Sequence, residues 1–154
     1  MSKLLEEILE RKRKRLAESE FEHVAVRQEW ISNCEKLMSR ITEWLKPLEG
    51  ENYLEIQLEY VPIREALIGD YEAPALQLVF LDSLILNFKP VGYFVIGSQG
   101  RVDVVSGGTR LAMLIHKGDD KWDFARREEM YGKPRTWPFN RVTFEAFLAD
   151  FLDE

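Results

Sequence analysis

Residues 54–60 read LEIQLEY, and this stretch decides the fold class of the chain. Every second residue from Leu54 to Tyr60 is apolar, which predicts a strand with one buried and one solvated face. The 49 residues before Gly50 contain no glycine and only one proline, Pro47, a composition typical of uninterrupted helix. The chain therefore changes near Gly50 from helix to sheet.

A long helix is predicted before that change. Apolar residues recur every three or four positions from Trp30 to Leu48, which indicates a helix at about 21–48 that buries one face. Pro47 and Gly50 are expected to end it. We expect residues 1–20 to form a charged helical arm, continuous with or hinged to this helix, and residues 21–154 to form a single α+β domain.

The predicted arm combines an apolar patch with a basic run. Acidic residues stand four positions from basic ones, a spacing that supports a solvated helix. We expect the patch to pair with a second copy, which gives a homodimer through the N-terminal helical arm. The basic run could touch nucleic acid or an anionic membrane, but its flanking glutamates favour an exposed helical face. The patch and the run are Leu4, Leu5, Ile8, Leu9 and Arg11–Arg15.

Beyond Tyr60 the sequence predicts further short strands separated by turns rich in Gly, Pro and Asp. Pro62 argues against a central strand continuing there, and Ile63–Ala73 fits either a helical turn or an ordered loop. Short connections join antiparallel neighbours, so we expect an antiparallel meander of six or seven strands. The expected strands are 54–60, 75–81, 84–88, 93–96, 101–105, 109–116 and 122–126.

A second helix is predicted at the end of the chain, after a loop at Glu128–Asn140. Thr143 is the expected N-cap, with Val142 and Phe147 as a hydrophobic staple. The simplest way to bury the apolar faces packs the C-terminal helix and the long N-terminal helix on the same sheet face. The predicted fold class is α+β.

Composition limits the classes of protein to consider. The chain has 154 residues, with 21 Lys and Arg against 27 Asp and Glu, which suits one acidic domain. A net charge of −6 disfavours a protein that coats nucleic acid non-specifically. Cys34 is the single cysteine, so no intrachain disulfide can form, and a reducing cytoplasm is the expected compartment. Neither a secretory signal nor an apolar run of membrane-spanning length is predicted.

The sequence offers few groups for catalysis. His23 and His116 are the two histidines, and a structural role is favoured for each. Cys34 lies within the apolar stripe of the long helix and is expected to be a buried small hydrophobe. A carboxylate site could draw on residues beside His116, although aspartates are also common in turns. These residues are Asp119, Asp120 and Asp123. We therefore predict no catalytic residue, no metal and no cofactor.

The charge is unevenly distributed along the chain. Residues 91–142 hold 9 basic and 6 acidic side chains, whereas residues 50–90 hold 2 and 7. Arginines and aromatic residues interleave within 121–142, a combination that protein hot spots and anion sites both use. A loop whose aromatic residues complete the core would have the same composition. The candidate partner-binding residues are Arg126, Arg127, Tyr131, Lys133, Arg135, Trp137 and Arg141.

These features favour a small non-catalytic protein-binding module of the adaptor, inhibitor or immunity-protein type, with a protein partner. The alternative is a nucleic-acid-associated protein that binds through the loop 121–142. Contacts to phosphate would make that binding weaken steeply with salt. An enzyme would require the aspartates near His116 to converge in a pocket.

Overall fold

A computed structural model describes residues 2–93, 100–126 and 135–153 of the chain. These residues form two helices and seven strands. All the strands belong to one sheet, in the order of the sequence, and each pairs antiparallel with its neighbour. The predicted α+β class and antiparallel meander are confirmed. The elements are α1 (Lys3–Gly50), β1 (Leu54–Glu65), β2 (Gly69–Phe80), β3 (Leu84–Gly92), β4 (Arg101–Ser106), β5 (Thr109–Gly118), β6 (Lys121–Arg126), β7 (Arg135–Pro138) and α2 (Arg141–Leu152).

Helix α1 runs without a break from Lys3 to Gly50, so residues 3–20 are helical and continuous with the predicted helix rather than hinged to it. Ser2 is its N-cap, and the hydroxyl accepts a hydrogen bond from the amide of Leu4 at 3.2 Å. The helix ends at Gly50, as predicted, but Pro47 lies inside its last turns and does not end it, so that part of the prediction is wrong. Within one continuous helix, the boundary between arm and domain stays a prediction.

The C-terminal end of α1 is formed by residues that follow Gly50. Asn52 adopts a left-handed conformation with φ of 63°. Its amide donates to the carbonyl of Glu49 at 3.2 Å, and the amide of Tyr53 donates to the carbonyl of Leu48 at 3.0 Å. This pair of bonds is a Schellman motif, which satisfies carbonyl groups that a helix end leaves unpaired.

The segment after Tyr60 is part of a long hairpin, so neither the helical turn nor the ordered loop expected at Ile63–Ala73 is correct. Strand β1 continues through Pro62 and pairs with β2 along its whole length. Because β1 is an edge strand, the missing amide hydrogen of a proline can face solvent without breaking a ladder bond. The strand expected at 93–96 lies mainly outside the described residues, and β3 ends at Gly92.

The sheet forks between β2 and β3. The two strands pair from Phe80 opposite Leu84 to Leu76 opposite Phe88, and β3 then continues along β4 alone. Two residues further in the same register, Pro74 would stand opposite Pro90. Neither residue has an amide hydrogen to donate, so the ladder stops at that point. The hairpin of β1 and β2 continues past the fork as a two-stranded ribbon.

One face of the sheet is buried by both helices, as predicted. Phe88 and Phe124 from the sheet, Trp30 from α1 and Phe144 from α2 all belong to a single core cluster and are fully buried. The opposite face of the first strands is accessible to solvent, and it carries polar side chains such as Gln57. Alternation along each strand produces this division.

The start of α2 differs from the prediction. The N-cap is Asn140, whose side chain accepts from the amide of Thr143 at 2.9 Å, while the Thr143 hydroxyl accepts from the Asn140 amide at 3.0 Å. Thr143 is therefore the third helical residue of a capping box. The hydrophobic pair across the cap is Phe139 and Phe144, with ring centroids 5.6 Å apart, in place of the predicted Val142 and Phe147.

Candidate protein-binding surface

Two of the predicted partner-binding arginines face each other in the sheet. Arg126 is the last residue of β6, Arg135 is the first residue of β7, and the two are register partners. Both side chains are exposed. Like charges at directly opposite positions of a sheet are unfavourable, so this pair is not explained by strand pairing itself. Arg127, Tyr131 and Lys133 lie outside the described residues.

Trp137 and Arg141, the other two predicted residues, lie in different surroundings. The Trp137 ring is half-buried and packs against Phe124, with centroids 5.7 Å apart, so this aromatic residue extends the core. Arg141 lies in the first turn of α2, and its Nε donates to Glu145 at 3.0 Å. Arg126 at the end of β6 and Arg135 at the start of β7 are therefore the described part of the candidate surface.

Arg126 lines a groove that sequence analysis did not anticipate. The groove has a volume of about 370 Å³ and lies between the end of β6, the hairpin of β4 and β5, and the last turns of α2. Alternation along β6 places Arg126 on the same face as Phe124, and this periodicity was the available signal that it points toward α2. The other lining residues are Ser106, Thr109, Leu111, Phe147, Asp150 and Phe151.

The C-terminal end of α2 influences the charge of the groove. The last turn of this helix contains no basic residue, and Asp150 contributes a carboxylate to the lining. The partial negative charge of the helix end and this carboxylate both favour a cation nearby. Arg126 thus has a structural reason to line the groove, and its side chain remains exposed to solvent.

The aspartates near His116 do not form a metal site. Asp119 belongs to the turn between β5 and β6, with φ of 47°, and its backbone carbonyl lies 2.8 Å from Nε2 of His116. Asp123 lies 3.9 Å from the ammonium of Lys117. Among residues 2–93, 100–126 and 135–153, no group of three His, Cys, Asp or Glu side chains is placed to hold an ion. Asp119 and Asp120 lie in the turn, as the turn interpretation predicts, whereas Asp123 lies in β6.

The two histidines and the cysteine have structural surroundings. His116 is buried beside the Trp122 ring, with centroids 4.8 Å apart, and His23 is half-buried on α1. Cys34 is fully buried in the core, as predicted. Burial raises the pKa of the Cys34 thiol far above its usual value, because the thiolate would lose its hydration, and the Glu35 carboxylate raises it further.

This pKa shift predicts a loss of stability in alkali. The folded state keeps the Cys34 proton, while the unfolded chain releases it above about pH 8.5. The contribution of this thiol to the free energy of unfolding is therefore fully present below that pH and decreases above it. From about pH 8.5 to 10.5 the wild type should lose about 2 kcal/mol more free energy of unfolding than Cys34→Ala. Urea titrations across this range measure the difference.

Tyr71 is removed from the comparison by making both proteins in a Tyr71→Phe background. Burial and a hydrogen bond from its hydroxyl to Glu65 raise the pKa of Tyr71, and the charge of Cys34 raises it further, so its titration would differ between the two proteins. Parallel curves of stability against pH for the two proteins would show that the thiol titrates alike in the folded and unfolded states.

A second cavity lies at the fork of the sheet. Its volume is about 600 Å³, and its walls include Gln77 on β2 and both Asn87 and Lys89 on β3. The Gln77 amide donates to the Asn87 side chain at 3.2 Å, so part of this polar wall is already satisfied within the sheet. The cavity lies where the ladder between β2 and β3 ends, and the sequence alone does not reveal where that ladder ends.

Comparisons of the chain with protein-family models, with curated proteins and with solved structures find no match. Neither α1 nor α2, the helices of the described residues, has a stretch long and apolar enough to span a membrane. The function has to be inferred from the geometry of the chain itself.

Proposed function

We propose that this chain is a non-catalytic protein-binding module that receives an acidic segment of its partner at the groove beside Arg126. The observation that carries the proposal is that Arg126 lines a groove with Phe151 in its wall and has Arg135 as its register partner on the next strand. Two guanidinium groups at neighbouring strand positions can hold carboxylates in bidentate hydrogen bonds. The proposed place of action is the cytoplasm, on the basis of cysteine usage alone.

The groove suits a segment in which an acidic residue is next to an apolar one. Residues directly opposite in an antiparallel pair have Cβ atoms about 5 Å apart, so both arginines can reach one short acidic segment. The methyl groups of Leu111 and the ring of Phe151, both half-buried, offer apolar contact beside these charges. Arginine and aromatic residues in a partly desolvated setting are typical of interface hot spots.

A protein partner fits this surface better than a nucleic acid. Phosphate chains are bound by cations repeated along a track, whereas Arg126 and Arg135 lie opposite each other at a single position along the strands. Asp150 lies in the groove, and Arg141 is already paired with Glu145. These carboxylates would repel a phosphate backbone that extended along α2.

A displayed peptide library tests the proposal without a known partner. Selection on the wild-type chain should enrich peptides that combine Asp or Glu with an apolar residue. For a selected peptide, the double variant Arg126→Ala, Arg135→Ala should bind about tenfold or more weakly, because two charge-assisted contacts are lost. Fluorescence anisotropy of the labelled peptide measures this loss.

Arg141→Ala is the matched control, because its guanidinium is held by Glu145 away from the groove. This variant should bind the selected peptide as the wild type does. Peptides without acidic residues, or equal binding by the double variant, would contradict the proposal. A labelled oligothymidine provides the second arm, and salt-sensitive binding that the double variant loses would favour nucleic acid instead.

A further inference from the structure

The first five turns of α1 extend as a charged, solvent-exposed rod. Every residue from Lys3 to Glu18 is exposed. Leu5 retains 50% of its accessible surface and Leu16 retains 64%, which is high for leucines in a stable helix. An exposed apolar stripe on a helix is typical of a surface that another molecule covers.

The exposed stripe is a continuation of the core-facing side of α1. Leu9, Leu16, His23, Trp30 and Leu37 recur every seven residues, so they lie on one side of the helix. Trp30 and Leu37 are fully buried against the sheet, and Leu9 and Leu16 lie beyond the part of the helix that is buried. The same side of α1 therefore changes from a covered surface to an uncovered one.

The charges of residues 3–18 have an internal symmetry. Each residue can be paired with the residue whose number brings the sum of the two to 21. Wherever both members of such a pair are charged, their charges are opposite, and Leu5 is paired with Leu16. If two copies of this helix pack antiparallel with a twofold axis between residues 10 and 11, the two members of each pair, one from each copy, lie at the same level along the helix axis. The charged pairs are Lys3 with Glu18, Glu6 with Arg15, Glu7 with Lys14, and Glu10 with Arg11.

We propose that two copies of this chain associate through their arms as an antiparallel pair, with a twofold axis between Glu10 and Arg11. Leu5 of one copy packs against Leu16 of the other, and Leu9 packs against the aliphatic stem of Lys12. Complementary charges along paired helices select both the partner and its direction. This inference is independent of the groove beside Arg126.

The parallel arrangement is disfavoured by the same charges. A parallel pair in register would set the five basic residues Arg11–Arg15 of one copy against the same five of the other. Like charges at that distance repel, and the acidic residues at Glu6, Glu7 and Glu10 would repel each other as well. The short seam predicts a weak dimer that dissociates on dilution.

Sedimentation equilibrium of the full chain tests the association. We expect a concentration-dependent dimer, and we expect Leu5→Ala with Leu16→Ala to weaken it at least about tenfold, because two contacts between four leucine side chains are lost per dimer. The control is Leu67→Ala with Leu81→Ala, two equally exposed leucines in turns of the sheet. A wild-type monomer up to about 1 mM, or a dimer unaffected by the arm variant, would overturn the proposal.

Charge reversal tests whether the charge pattern selects the second copy. The basic variant carries Glu6→Lys, Glu7→Lys and Glu10→Lys. The acidic variant carries Arg11→Glu, Lys14→Glu and Arg15→Glu. Each variant alone should sediment as a monomer. Both halves of its arm then carry mainly charges of the same sign, so two copies repel each other. An equimolar mixture should form a heterodimer. Self-association of either variant, or a mixture that stays monomeric, would contradict the proposed pairing.

Crosslinking tests the direction of the helices. A short bismaleimide should link chains with Leu5→Cys to chains with Leu16→Cys, and it should link Leu5→Cys chains to one another poorly. Cys34 is fully buried, so the native thiol does not compete. Preferential linking between two Leu5→Cys chains would show a parallel pair and overturn the antiparallel assignment.

Discussion

Replacing Gly100 by alanine is expected to lower the free energy of unfolding by about 3–5 kcal/mol. Gly100 has φ of 132°, a backbone conformation that residues with a Cβ rarely adopt. A Cβ built there would lie 2.3 Å from Cζ3 of Trp30 and 2.7 Å from its Cη2. The Trp30 ring is fully buried and lies between the rings of Tyr93 and Trp122, so it cannot move aside cheaply.

Urea unfolding followed by tryptophan fluorescence measures this loss, and Gly107→Ala is its control. Gly107 also has a positive φ, 58°, but a Cβ there would have no neighbour within 4 Å. The control should lose only about 1 kcal/mol, the cost of the backbone conformation alone. If both variants lost the same free energy, contact with Trp30 would not explain the effect at Gly100.

The period of the apolar residues predicted most of the fold. It predicted the core-facing side of α1 from Trp30 onward and the strand β1, because burial on one side requires that period. On the face of β1 expected to be buried, Leu54 is covered, whereas Leu58 and Tyr60 are exposed. Turn chemistry also identified a hairpin correctly. Gly107 and Gly108 both have positive φ between β4 and β5, the conformation that a tight two-residue hairpin turn requires.

Prolines and caps could not be predicted from local pattern alone. Pro62 argues against a central strand, but its tolerance depends on β1 lying at the edge, which is a property of the whole sheet. The fork requires Pro74 and Pro90 to share a register position, and register is set by pairing across the sheet. Thr143 has the residue type of an N-cap, but Asn140 takes that role because β7 brings the chain to α2 there.

The candidate surface was predicted in part. Interleaved arginines and aromatic residues indicated this segment, and Arg126 and Arg135 are register partners in the structure. The same composition did not separate Trp137, which extends the core, from residues that face solvent. Nor could it show that Phe151 of α2 lines the groove, since that contact depends on how the helix packs on the sheet.

Replacing Phe124 by alanine is expected to lower the free energy of unfolding by about 3–5 kcal/mol, as large-to-small changes in aromatic cores do. Phe124 is fully buried at the centre of an aromatic cluster. Its ring lies 4.8 Å from that of Phe139, 5.3 Å from that of Phe147 and 5.7 Å from that of Trp137. The variant leaves a cavity between β6, β7 and α2. Urea unfolding measures the resulting loss in the free energy of unfolding.

The matched variant Phe124→Leu separates packing from the aromatic contacts. Leucine fills most of the cavity, so this change should cost roughly 1–2 kcal/mol and leave the fold intact. Because Phe124 also supports the strand ends that carry Arg126 and Arg135, the alanine variant should weaken peptide binding at the groove even where it remains folded. Full peptide affinity in a folded but destabilised Phe124→Ala protein would show that the surface is held by other contacts.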